Sequence, residues 1–393
     1  MELAKIREEI QNEVEAHREE LIELSMKIHS NPEVGWKEHK ASQWLSEYLE
    51  KQDFTVERGF CDLPTSFRAR FGDGKPVIAF LSEYDATTET EHGCGHNVIA
   101  TIGVGAGLGA KRLVELLGAG TILILGCPAE ELLGGKVLMV ERGAFEGIDV
   151  AMMMHPRGGP NRAGFRTTAS ITLNVEFWGK EAHAASDPWN GISALEALVL
   201  AFNNINGLRM HIKDGARVGG IITDGGKAAN VVPGHAAGTF MVRATENAYL
   251  DELQKKVLDC FEGAAKATGA RLEYRWGMRC EAMQNNNALM ELCRTNMESL
   301  GGEVEDVADV AGSTDLGNVS VIVPSIHPFI SICPNLLTFH SAEFAEAAAS
   351  EDGKRAVIDG AKVLAWTAAD VITQPDSLDR IKEEFARMQN QAK

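Results

Sequence analysis

Positive charge is scarce in this sequence. Lys and Arg number 38 against 56 Asp and Glu, a formal net charge of -18. Such a balance argues against nucleic acid or an anionic membrane as a partner, because both recruit basic surfaces. Long apolar runs are missing too, and nothing approaches the ~18 residues that a membrane-spanning helix needs. Residues 1–20 are charged throughout, without the apolar core of a secretion signal. Cysteine is sparse and odd in number, with seven scattered at positions 61, 94, 127, 260, 280, 293 and 333. That usage fits a reducing compartment rather than a disulfide framework. These absences predict a soluble cytoplasmic protein.

What remains is ordinary globular composition, 45% hydrophobic and 24% charged over 393 residues, a length that predicts two domains. Helical spacing predicts a helix over residues 1–29, stopped by Asn31-Pro32, and another from about Lys37. Continuous apolar runs at 77–81, 121–125 and 150–154 read as strands buried on both faces of a mostly parallel sheet, with helices between them, for instance 98–117. From about Thr168 the pattern changes to alternation. Strands near 171–178, 218–223, 237–243 and 271–274, with helices near 192–208 and 250–267, give a β-α-β-β-α-β order. The first pattern then resumes with a helix at 287–300, short strands at 319–324 and 331–333, and a long helix at 353–372. The expected fold class is therefore α/β: a mostly parallel-sheet domain with helices on both faces, interrupted by a ferredoxin-like α+β insertion. The expected boundaries are 1–168, 169–279 and 280–393.

Chemistry gathers where the strands end. Glu91-His92-Gly93-Cys94-Gly95-His96-Asn97 sets a thiol and an imidazole two residues apart, between glycines that let the backbone turn both onto one point. Thiolate and imidazole are zinc-type ligands, although a free cysteine is equally at home as a small buried hydrophobe. The first strand leads to Glu83 and Asp85, the second to Glu130 and Glu131, the third to His155. Functional groups in open α/β sheets collect at such carboxyl ends. Two adjacent carboxylates after a buried strand repel one another unless a cation or a proton resolves them. With His340, residues Cys94, His96, Glu131 and His155 could form a two-metal centre with one bridging ligand. The glycine run 105–109 resembles a dinucleotide fingerprint but lies inside an apolar helix, where close packing accounts for it.

These residues carry a family resemblance. His29 to Glu33, Ser82 to Ala86, His92 to Asn97, Pro128 to Glu131, His155-Pro156, Gly179 to Ala184, Asn230 to Pro233, Gly312 to Asp315 and His340-Ser341 follow one another in order. The chain resembles the aminoacylase/carboxypeptidase family of dinuclear metallopeptidases (M20). Within it, the chain is similar to the amidohydrolase branch that holds aminobenzoyl-glutamate hydrolases and certain dipeptidases. The resemblance implies two divalent transition-metal ions, zinc or manganese, held by Cys94 as the bridge and by His96, Glu131, His155 and His340. It implies Glu130 as general base, Asp85 as the group that orients a ligand histidine, and His183 as stabiliser of the oxyanion across a dimer interface. Asn230 and Arg243 would hold a substrate carboxylate. The implied activity is hydrolysis of an N-acyl or N-aminoacyl amino acid, by a homodimer formed through the insertion, which serves as lid and dimerisation domain. Cleavage of another C–N bond, such as an amine on an aromatic carboxylate, and a non-catalytic binding role are the alternatives. Two departures stand out: Thr87-Thr88 replaces a common Leu-Pro, and Glu83 replaces a common Asp.

Overall fold

The computed structural model describes residues 2–391 except Leu133, Val310 and Ala311. The chain divides into two compact units, one of Met1–Arg166, Met283–Val310 and Thr314–Lys393, the other of Thr167–Ala282 with Ala311–Ser313.

The first unit is built on a six-stranded sheet in the order Thr55–Arg58, Phe67–Asp73, Gly120–Cys127, Val77–Glu83, Val150–Met152, Ser325–Ile326. The first two strands run antiparallel and the last four are parallel. Parallel pairing is registered so that Glu83 lies opposite Cys127. The two following segments, one carrying Asp85 and the other Glu130 and Glu131, therefore leave the sheet at the same edge. The continuous burial of Gly120–Cys127 explains its unbroken apolar sequence, since helices cover both faces. The helix His96–Leu117 packs between this sheet and the helix Glu351–Thr373. Its glycine run is what permits the approach: a Cβ on Gly107 would sit 2.2 Å from Ile124, and one on Gly105 2.8 Å from Ala361. Among the described residues no helix is long and apolar enough to cross a membrane.

Two expected elements are corrected. Residues 1–29 form two helices, Leu3–Ala16 and Arg18–His29, broken at His17, whose ring engages Glu20 and the Tyr48 hydroxyl. Residues 319–324 are not a strand. Leu316, Val319 and Val323 recur at helical spacing, and the helix Leu316–Ser320 buries the first two before the strand Ser325–Ile326. A short apolar run does not distinguish the two by itself.

The second unit is an antiparallel sheet in the order Arg217–Asp224, His235–Ala244, Ala169–Trp178, Arg271–Cys280. Helices Ala194–Leu208 and Asn247–Thr268 pack on one face. Alternate burial along His235–Ala244 matches its period-two sequence. Numbered within the unit, the strand order is 2-3-1-4, the ferredoxin-like arrangement.

Candidate metal centre

Gly95 makes the centre possible. It sits at φ +76 just before the helix His96–Leu117, and a Cβ there would lie 2.6 Å from the Pro156 ring. The chain thus turns sharply enough for Cys94 and His96 to face the same space. Upstream, Thr87 ties the loop that delivers Cys94: its backbone N–H donates to the Glu91 carbonyl at 2.8 Å and its hydroxyl to the same carbonyl at 3.1 Å. Thr87 and Thr90, whose hydroxyls lie 2.8 Å apart, close the loop together.

Asp85 is fully buried and serves two neighbours. Oδ1 lies 2.9 Å from His96 Nδ1, and Oδ2 accepts the Glu131 backbone N–H at 3.0 Å. With Nδ1 engaged, His96 Nε2 is left facing the centre. That atom is 3.7 Å from Glu131 Oε1 and 3.9 Å from Glu130 Oε2. His155 Nδ1 is likewise engaged by the Pro156 carbonyl at 2.7 Å, and its Nε2 lies 3.5 Å from Cys94 Sγ. His340 Nε2 lies 3.2 Å from Glu131 Oε2.

Two residues around the centre hold backbone conformations that L side chains rarely adopt. Ala129, just before Glu130, has φ +56, and His340 has φ +59. Such strain costs on the order of 1–3 kcal/mol and persists only where surroundings enforce it. Here the enforcers are visible: the Ala129 N–H donates to buried Glu38 at 2.7 Å, and the His340 N–H donates to the Gly93 carbonyl at 2.9 Å.

The donor atoms fall into overlapping groups whose members lie within 4.8 Å of one another: Cys94, His96 and His155; Cys94, Glu131 and His340; His96, Glu130 and Glu131. All five proposed donors converge, with Cys94 common to the first two groups. His96 Nε2 and Glu131 Oε1 are buried without a hydrogen-bond partner among the described residues. Two orphaned atoms facing each other are what a cation would satisfy, and thiolate, imidazole and carboxylate suit a divalent transition metal. The residues fit such ions.

Electrostatics sort the carboxyls. Burial drives Glu130 well above the usual range, helped by the charges of Glu83 and Asp315. For Glu131, burial is outweighed by the His340 hydrogen bond and the His96 charge, which hold it at about 2.

In the second unit the predicted residues separate. His183 Nδ1 accepts the backbone N–H groups of Ala185 and Ser186 at 3.2 and 3.1 Å, which places its proton on Nε2. Asn230 lies alongside, its carbonyl accepting the Ala184 N–H at 3.0 Å. Arg243 is at the other end of the strand His235–Ala244, roughly 26 Å away at 3.3 Å per residue. There it donates to the Ser313 hydroxyl at 2.8 Å. Within one chain the strand His235–Ala244 therefore holds Asn230 and Arg243 apart.

Three residues around the centre carry no clear mark in the sequence. Glu38 is one. Lys136, fully buried, is salt-bridged to Glu83 and Asp315. His327 is buried 5.6 Å from the His155 ring, with neither nitrogen partnered among the described residues. A signal for His327 does exist: His327-Pro328 repeats His155-Pro156 after the neighbouring parallel strand, where Ile326 pairs with Met152.

The chain is similar to known proteins. The sequence profile of Peptidase family M20/M25/M40 matches residues 77–370. Xaa-Arg dipeptidase of Mus musculus is 37% identical over 407 aligned positions, covering 98% of this chain and 93% of that protein. A p-aminobenzoyl-glutamate hydrolase chain from Escherichia coli is 36% identical over 71% of this chain and 62% of its own length. A dinuclear metal-binding peptidase of the M20 family from Bacillus subtilis superimposes with a TM-score of 0.71 at 20% identity, covering 91% of this chain and 99% of that one. The profile begins at the strand leading to Glu83 and Asp85 and runs through both units, and the dipeptidase matches almost end to end. The chain belongs to peptidase family M20/M25/M40 and is a hydrolase acting on amide bonds.

Proposed function

We propose that the protein is a metal-dependent amidohydrolase that splits the amide between an acyl or aminoacyl group and an amino acid bearing a free carboxylate. The observation that carries this is the sharing of Cys94 between two donor groups with the Glu130 carboxyl beside them. Xaa-Arg dipeptidase and p-aminobenzoyl-glutamate hydrolase, by their names, act on bonds of this kind.

Cys94, His96, Glu131, His155 and His340 would hold two divalent ions, zinc or manganese. When bound, such ions supply Lewis acidity that polarises a carbonyl and acidifies water. Asp85 keeps His96 turned with Nε2 inward. Glu130, beside the donor groups, takes the proton of the attacking water and returns it to the leaving amine. His183, with its proton on Nε2, donates to the developing oxyanion. Asn230 sits with His183, while Arg243 offers a charged fork to the substrate carboxylate.

Because Arg243 is remote from His183 and Asn230, one substrate meets both groups only if two chains contribute. A homodimer supplies that. The edge strand Arg217–Asp224, with Ile221 63% and Ile222 43% exposed, is the surface we assign to it. We place the protein in the cytoplasm, the reducing compartment that its sparse, scattered cysteine usage fits.

The test is elemental analysis of wild type beside Cys94→Ala, followed by assay on dipeptides ending in Arg and on p-aminobenzoyl-glutamate. About two divalent ions per chain, reduced in the variant, with release of the free amino acid, is the expected result. A protein that takes up no metal on reconstitution would sink the reading, and ammonia release instead would move the reaction to another C–N bond.

A further inference from the structure

Glu83 and Asp315 stand in two of the motifs that mark the sequence, yet neither belongs to the donor set nor serves as the base. Both converge on one lysine. Lys136 opens the helix Gly135–Glu141, immediately after the Glu130-Glu131 turn, and its side chain has no solvent exposure. Its ammonium is salt-bridged to Glu83 Oε1 at 2.5 Å and to Asp315, and its backbone N–H donates to Asp315 Oδ2 at 2.8 Å. Carboxylate oxygens of Glu83, Glu130 and Asp315 lie within 4.8 Å of one another. Three carboxylates so close together, two of them buried, form a cation position. Here a cation is already present, and it is part of the chain.

We propose that Lys136 is a positioning residue for Glu130: its ammonium fills the cation position among three carboxylates and locks two of them. The third is left free to exchange partners. This rests on reading Glu130 as the base. A base must collect a proton at one atom and deliver it at another, so it works only if no salt bridge pins it. Glu83 and Asp315 are pinned, whereas the near charged partner of Glu130 is His96 Nε2, at 3.9 Å. Without the lysine, Glu83 and Asp315 would compete for any cation at the adjacent centre, since Glu83 Oε2 is only 3.7 Å from His96 Nε2.

The experiment compares wild type, Lys136→Met and the charge-balanced Lys136→Met/Asp315→Asn, each reconstituted with manganese. Metal-to-protein ratio, thermal midpoint, kcat and KM on a dipeptide ending in Arg are the readouts. Lys136→Met is expected to bind about one manganese more than wild type, because the vacated position takes a divalent ion. Its kcat is expected to fall at least ~100-fold with KM within ~3-fold, and the double variant to recover at least ~10-fold of that loss at the wild-type metal ratio. A Lys136→Met ratio no higher than wild type overturns the proposal, as does an unchanged kcat. A folded double variant as slow as the single also overturns it, because the lysine would then only staple three elements together. Should Lys136→Met not fold, the double variant decides: turnover supports charge neutralisation, and inactivity with metal bound refutes it. If metal-loaded wild type cleaves no amide, it is the reading of Glu130 that fails, and the metal counts alone then judge where the ammonium sits.

Discussion

At the scale of single residues, the centre depends on carboxyls that look alike in sequence and differ in environment. Glu130 and Glu131 are adjacent, yet burial and the Glu83 and Asp315 charges raise one while His340 and His96 hold the other at about 2. Replacing Glu130 with Ala should lower kcat by ~10²- to 10⁴-fold and leave the metal ratio unchanged, measured by steady-state kinetics beside elemental analysis. Glu38 gives a second prediction. Burial pushes its carboxyl up to about 7 while it accepts the Ala129 N–H and the Thr65 hydroxyl. A folded value above the unfolded one means that its stabilisation is complete below pH ~4.5 and lost as pH rises through about 7. The metal-free protein should therefore lose on the order of 2–3 kcal/mol across that window in denaturant titrations, and Glu38→Gln should flatten the loss. The donors were legible because thiol and imidazole groups seldom collect at the ends of buried strands for packing alone. Glu38 was not, because a glutamate just before a helix reads as solvated, and its partner lies 91 residues along the chain.

At the scale of elements, the strand register and one glycine determine where the donors meet. The pairing of Glu83 with Cys127 delivers both acidic segments to one edge, and this was readable from three apolar runs each followed by a polar group. The strand Ser325–Ile326 was not readable, because two paired residues carry no period of their own and the apolar run before them is helical. Gly95 is the position where element geometry and chemistry are inseparable. Ala there must adopt φ +76 and place its Cβ 2.6 Å from the Pro156 ring. Gly95→Ala should cost ~1–3 kcal/mol in urea unfolding, from the positive φ and the overpacking together. It should also lower the metal ratio, because Cys94 and His96 no longer converge. A variant with full metal and wild-type stability would show that the turn has slack enough to hold the pair by other means.

At the scale of the whole molecule, the groups proposed to handle substrate fall into two separated sets within one chain. His183 and Asn230 lie at one end of the strand His235–Ala244, and Arg243 lies at the other. The sequence placed all three in the insertion, but linear order could not show that an eight-residue stretch of strand keeps them apart. If each site draws its His183 and Asn230 from one copy and its Arg243 from the other, two inactive variants should repair each other. His183→Ala and Arg243→Ala homodimers each lack one member at both sites. A mixed dimer pairs one doubly damaged site with one intact site. Random exchange makes about half of all dimers mixed, so about a quarter of wild-type kcat should return on unfolding and refolding the two variants together, while either refolded alone stays slow. Ile221→Lys on the exposed edge strand should abolish the recovery by favouring monomers, seen by sedimentation, and should leave the metal ratio untouched because no donor lies in that unit. Recovery absent from a mixture that sedimentation shows to be dimeric would mean that the two sets do not serve one substrate. The strand geometry would then require Arg243 to serve something other than the substrate that His183 meets.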